Sequence, residues 1–159
     1  MNNRPKVTVA ALQNKKMSSR KITLLTAYDF PMASFLDQAG IDLVLVSDAV
    51  GTIGNGKPEA VSVTVDEMTY HTRAVRNGVK SSMVVTTLPF GSYNCVNEAV
   101  GNATRIMKEG GADAVHLEGT AQSAEIVRSI VNSGIPVLGH IGFTKQHMVL
   151  SGTISLPAK

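Results

Sequence analysis

A histidine and a glutamate two residues apart close the run Ala112-Asp113-Ala114-Val115-His116-Leu117-Glu118-Gly119. The run reads as a short buried strand that opens into a glycine turn. Strand side chains alternate between faces, so Ala114, His116 and Glu118 point the same way. In α/β folds the carboxyl end of a strand is where ligands bind, and there an imidazole beside a carboxylate can hold a metal ion or move a proton. The blander alternative is that Glu118 caps the next helix and His116 is a satisfied core histidine. The other strands have to decide.

Four further strand-like runs also end in polar residues. They close on Tyr28 and Asp29, on Ser47 and Asp48, on Thr86 and Thr87, and on His140. In a (β/α)8 barrel all of these converge on one mouth. Two carboxylates and two histidines around a cleft suit a divalent cation. Mg²⁺ is expected where Asp48 and Glu118 dominate, and Zn²⁺ or Mn²⁺ where the imidazoles ligate. Such an ion would polarise a 2-oxo acid and stabilise the enolate formed when the carbon beside the carbonyl loses a proton. Each residue has its own bland reading: Asp48 as a cap on the glycine loop, His140 as a core histidine. The loop Gly51-Thr-Ile-Gly-Asn-Gly56 lacks a Gly-Lys-Ser/Thr ending, so it does not read as a phosphate loop.

These residues need a frame. Strands are expected near 22–27, 42–47, 82–86, 113–117 and 136–139, as apolar runs buried on both faces. Helical spacing covers 31–39, 65–76, 95–109 and 121–132, with glycines at the helix ends and Asn94 as the expected cap of the third. Residues 1–20 read as a polar tail with a short helix near 10–16. Alternation of this kind implies parallel strands with right-handed crossovers. The whole of 1–159 therefore reads as one partial barrel domain.

Composition narrows the partners. Aromatic residues make up 4% of the chain and there is no Trp, which argues against a nucleic-acid stacking surface. The net charge of +3 traces to Arg4, Lys6, Lys15, Lys16, Arg20 and Lys21, all ahead of the first acid, Asp29. It reads as a basic leader rather than a binding face. A lone cysteine, Cys95, excludes an internal disulfide framework and fits a reducing, cytoplasmic setting. No apolar run approaches the roughly 18 residues of a membrane span.

Several runs resemble the ketopantoate hydroxymethyltransferase family. They are Lys21-Ile-Thr-Leu-Leu-Thr-Ala-Tyr-Asp29, Leu43-Val-Leu-Val-Ser-Asp48, Val63-Thr-Val-Asp-Glu-Met-Thr-Tyr-His-Thr-Arg-Ala-Val75, Leu88-Pro-Phe90, the opening run to Gly119, and Gly139-His-Ile-Gly-Phe-Thr144. The resemblance extends from about Val7 to the end of the chain. It implies a (β/α)8 TIM barrel and a Mg²⁺-dependent, aldol-type transfer. A hydroxymethyl group passes from methylenetetrahydrofolate to 3-methyl-2-oxobutanoate, giving 2-dehydropantoate for pantothenate synthesis. Asp48 and Glu118 match the family's metal-site acids, and His140 matches its active-site histidine.

The chain also departs from that pattern. Where the family has an oxo-acid-binding serine, a second metal-site aspartate and a substrate-binding lysine, this chain has Ala49, Thr87 and His116. The resemblance thus implies a substrate site of Ser47, Asp48, Ala49, Thr87 and His116. It implies a metal site of Asp48, Glu118 and Thr87, and His140 and His116 as catalytic candidates. A full barrel takes about 250 residues, and these 159 reach the fifth strand. The family's general-base glutamate belongs to a later strand. A homo-oligomer or a completing chain is therefore expected, and no turnover by the 159 residues alone. Two readings stay open: an enzyme completed elsewhere or diverged in substrate or metal, and a non-catalytic relative that binds metal and oxo acid or serves as a structural subunit.

Overall fold

The computed structural model describes residues 4–57, 59–119, 121–142 and 144. In chain order the elements are α1 (Val9–Met17), β1 (Leu24–Thr26), α2 (Phe30–Gln38), β2 (Leu43–Val46), α3 (Val50–Ile53), α4 (Val65–Gly78), β3 (Met83–Thr87), α5 (Val96–Arg105), β4 (Ala114–Glu118), α6 (Ala124–Asn132) and β5 (Val137–His140). The five strands form one parallel sheet in the order β1-β2-β3-β4-β5. This is the first part of a TIM barrel, as expected.

The sheet separates two apolar layers. On its outer face Val44, Val46 and Val84 pack with Ala33 of α2 and with Met68 and Val75 of α4. Farther along that face Val115 and Leu117 pack with Ala99, Ala103, Ile106 and Ile130. On the inner face Leu43, Met83, Val85 and Ala114 form a second cluster, joined by Leu45 and Leu138. Alternation along each strand sends its odd and even residues to opposite layers. That assignment decides which polar residues meet at the strand ends.

The leader is more than a tail. Val7 and Leu12 pack on the inner-face cluster and close it at the amino ends of the strands. The Val7 amide donates to the carbonyl of Ser81 at 2.7 Å. Three of its basic residues, Arg4, Lys6 and Lys15, serve this closure. Lys15 pairs with buried Asp42 at 2.6 Å. Lys6 and Arg76 flank Asp113. Arg4 donates to the carbonyls of Gly40 and Ile41 and to Ser82 Oγ.

Local chemistry explains the helix that follows the glycine loop. Thr64 and Glu67 form a reciprocal capping box at the start of α4. At its end, a Cβ on Gly78 would lie 2.6 Å from the Phe30 carbonyl, so only glycine lets α4 lie this close to α2.

Three local expectations change. The glycine stretch is partly helical: it begins as α3, and a Cβ on Gly51 would lie 2.5 Å from Val63 Cγ2. Glycine there makes room for a side chain instead of loosening the chain. The expected helix over 95–109 is α5 followed by a wider turn over Ile106–Gly110. Its cap position falls on Cys95, because the Asn94 amide instead donates to the Gly91 carbonyl at 3.1 Å.

Both outer strands border exposed apolar residues. Leu24 and Leu25 of β1, Phe30, Met32 and Phe35 beside them in sequence, and Ile141 after β5 are all exposed.

Candidate active site at the carboxyl ends of the strands

Register brings the site together. Thr87 is opposite His116 across β3 and β4, and Glu118 is opposite His140 across β4 and β5. These residues continue the alternation of Val85, Ala114 and Leu138, so they belong to the inner face. Thr87 Oγ1 lies 2.9 Å from His116 Nδ1. His140 Nδ1 lies 3.8 Å from Glu118 Oε1. The two imidazole rings are 5.7 Å apart, centre to centre. On the β2 side, Ser47 Oγ and the Tyr28 hydroxyl are 2.9 Å apart.

Burial, seconded by the nearby His140, pushes the His116 imidazole down to about 4, and the Glu118 carboxylate only partly opposes this. His116 is therefore uncharged at neutral pH. It cannot offer the fixed cation that a lysine would.

Asp48 and Ala49 lie in the turn between β2 and α3, two strands from Glu118. The Asp48 carbonyl accepts from the Gly51 amide at 3.0 Å. The Ala49 carbonyl accepts from Ile53 N and from Thr52 Oγ1. Ala49 has no polar side chain of its own to offer a ligand.

The donor chemistry tests the implied metal. Zn²⁺ takes three or four protein ligands, and among the described residues no group of three His, Cys, Asp or Glu could hold an ion. Mg²⁺ keeps several waters and needs one or two carboxylates. Asp48 and Glu118 offer that donor type. Thr87 adds no charge, and its hydroxyl is engaged with His116.

Three supporting contacts have no signature in residue spacing. The Tyr93 hydroxyl donates to the Glu118 carbonyl at 3.1 Å and steadies the end of β4. His71 Nδ1 meets the Tyr28 carbonyl at 2.8 Å. The Asn102 amide holds the loop after β3 through the Ser92 carbonyl at 2.7 Å. Each joins elements whose neighbourhood only the fold sets.

The family profile of ketopantoate hydroxymethyltransferase matches residues 6–159. The chain belongs to that family. It is 48% identical over 153 residues to the 3-methyl-2-oxobutanoate hydroxymethyltransferase of Moorella thermoacetica, covering 96% of this chain and 57% of that one. The enzyme of the same name from Acetivibrio thermocellus is 47% identical over 148 residues, covering 92% and 52%. The Clostridium botulinum enzyme is 43% identical over 155 residues, covering 97% and 56%. The chain thus spans about half the length of the curated relatives it matches.

Solved structures agree on the fold. A 2,3-dimethylmalate lyase of the PEP mutase/isocitrate lyase superfamily superposes with a TM-score of 0.63 at 16% identity, covering 82% of this chain and 51% of that one. A phosphonopyruvate hydrolase in complex with oxalate and Mg²⁺ superposes at 0.59 and 17% identity, covering 94% and 69%. At such identities the likeness is one of barrel architecture. Within the ketopantoate hydroxymethyltransferase family, the inner-face group of Thr87, His116, Glu118 and His140 is what this chain places at the barrel mouth.

Proposed function

We propose that this chain carries the first part of the active site of a 3-methyl-2-oxobutanoate hydroxymethyltransferase. The reaction transfers a hydroxymethyl group from methylenetetrahydrofolate to a 2-oxo acid and yields 2-dehydropantoate. The observation that carries the reading is the match over residues 6–159 together with the inner-face cluster at the strand ends.

Asp48 and Glu118 would hold Mg²⁺, which when bound would polarise the oxo group and stabilise the enolate. The protein's own residues do the rest. His116, uncharged, donates a hydrogen bond to a substrate oxygen. His140, beside Glu118, would hold a proton near the reacting carbon. Ser47 and Tyr28 supply neutral hydroxyls on the opposite side. The glutamate base implied by the resemblance comes from whatever completes the barrel, whether a further segment, a second copy or another chain. Cys95, an exposed free thiol, suits a reducing cytoplasm. Among the described residues no helix is long and apolar enough to cross a membrane.

A second reading is favoured by one observation. The Thr87–His116 pair supplies no cation of its own to the substrate carboxylate, which suits a subunit that binds oxo acid without turning it over. One experiment addresses both readings: 2-dehydropantoate formation is assayed, and 3-methyl-2-oxobutanoate binding measured by calorimetry with and without Mg²⁺, on samples of known metal content. The expected result is Mg²⁺-dependent binding with no turnover by the 159 residues alone. Absence of Mg²⁺-dependent binding would refute the proposed function. Robust turnover would show that His116 or His140 serves as the base.

A further inference from the structure

We infer that Thr87 is a positioning residue: its hydroxyl donates to Nδ1 of His116 and holds the ring as the tautomer with its proton on Nε2, the atom that donates to an oxygen of the bound 2-oxo acid. The substrate half of this inference rests on the function proposed above.

The argument is one of hydrogen-bond accounting. Thr87 is 1% exposed, so its hydroxyl hydrogen must find an acceptor within the protein. Among the described residues, the partner of Thr87 Oγ1 is His116 Nδ1 at 2.9 Å. If Nδ1 carried the proton and donated to Thr87, the hydroxyl hydrogen would be left buried with nowhere to go. The reverse arrangement satisfies both groups. An Nδ1 that accepts carries no hydrogen, so the ring's one N–H sits on Nε2.

Nε2 has no protein partner among the described residues, and the His116 ring faces His140 at 5.7 Å. The ring therefore presents an unspent donor at the mouth, on the face that carries Glu118. Such a donor recognises a carboxylate or oxo oxygen by direction instead of by charge. Thr87 is then tied to the substrate through the ring, and not to the metal.

The test uses the full chain labelled with ¹⁵N. Two-bond ¹H–¹⁵N correlations at pH 7 read the protonation of each His116 ring nitrogen directly. The expected result is a bare, hydrogen-bond-accepting Nδ1 and a protonated Nε2. In Thr87→Val the tautomers should mix, and calorimetric affinity for 3-methyl-2-oxobutanoate should fall about tenfold, the effect of one hydrogen bond. Thr87→Ser should restore both readouts. A proton on Nδ1 in the unmodified chain overturns the inference, whether or not the acid binds. So does a Thr87→Val protein that keeps both tautomer and affinity. If the unmodified chain shows the expected tautomer but binds no oxo acid, the proposed function fails, and with it the substrate half of this inference.

Discussion

Glu118 and His140 are register partners on β4 and β5, with His140 Nδ1 3.8 Å from Glu118 Oε1. Parallel pairing thus places an imidazole against the carboxylate proposed above to hold Mg²⁺ with Asp48. Removing that carboxylate should weaken Mg²⁺ binding by at least about tenfold, because even second-layer partners of a metal site cost that much. Titration calorimetry on Glu118→Gln and Asp48→Ala measures it. An unchanged Mg²⁺ affinity in either variant removes that residue from the metal site.

His140→Gln should behave differently. It keeps a polar group beside Glu118 but loses the imidazole. Mg²⁺ affinity should change by no more than a few fold, while exchange of the substrate's carbon-3 proton should slow without being lost, since the glutamate base is retained. Proton–deuterium exchange at carbon 3 of 3-methyl-2-oxobutanoate, followed by NMR in a completed barrel, reads the proton step by itself. Exchange at an unchanged rate in His140→Gln would remove His140 from the proton step.

The first strand–helix unit should drive association. Leu24, Leu25, Phe30, Met32 and Phe35 are exposed, and β1 lies at the edge of the sheet. An unpaired apolar edge is a template for another chain. Sedimentation velocity should show concentration-dependent association of the 159 residues, reduced in Leu25→Lys and Phe35→Lys. A clean monomer at high concentration would contradict this.

The strands were legible because parallel strands buried on both faces are unbroken apolar runs between glycine turns. Leu43–Val46 is all Leu and Val, and its expected and observed limits differ by about one residue. His116 and Glu118 were legible for a similar reason, since a period of two puts them on one face. The Thr87–His116 bond was not. It depends on the register between two strands, which neither strand encodes alone. The short helix of the leader was legible, but its packing was not, because that depends on pairings far along the chain, Lys15 with Asp42 and Lys6 with Asp113. Val7 and Leu12 are too sparse to announce a packed face. Cys95 took the cap position from Asn94 because the loop before α5 uses the asparagine amide internally.

Acid should unfold the protein through the amino end of the sheet. Burial alone would raise the Asp37 pKa, but hydrogen bonds from the amides of Ser82, Lys80 and Ser81 help to outweigh it, and the net shift is downward. The three amide contacts measure 2.7 to 3.0 Å. Asp42 behaves alike: burial raises its pKa, and Lys15 and Thr23 more than reverse this. A carboxyl group with a folded pKa below its unfolded value, about 3.9, favours the folded state at pH values above the unfolded value. That contribution fades as pH falls through the folded value. Urea midpoints should therefore stay level from about pH 7 to 5 and drop steeply below about 4. Asp37→Asn should lower stability at pH 7 by about 1–3 kcal/mol, because an amide NH₂ would face backbone donors that have no other acceptor. The same variant should shrink the acid-dependent loss, since one of the groups that must protonate is gone. Equilibrium urea unfolding at pH 7 and pH 3 measures both effects. An Asp37→Asn protein with unaltered stability at pH 7 and an unaltered acid limb would show that the turn before β3 does not depend on this carboxylate.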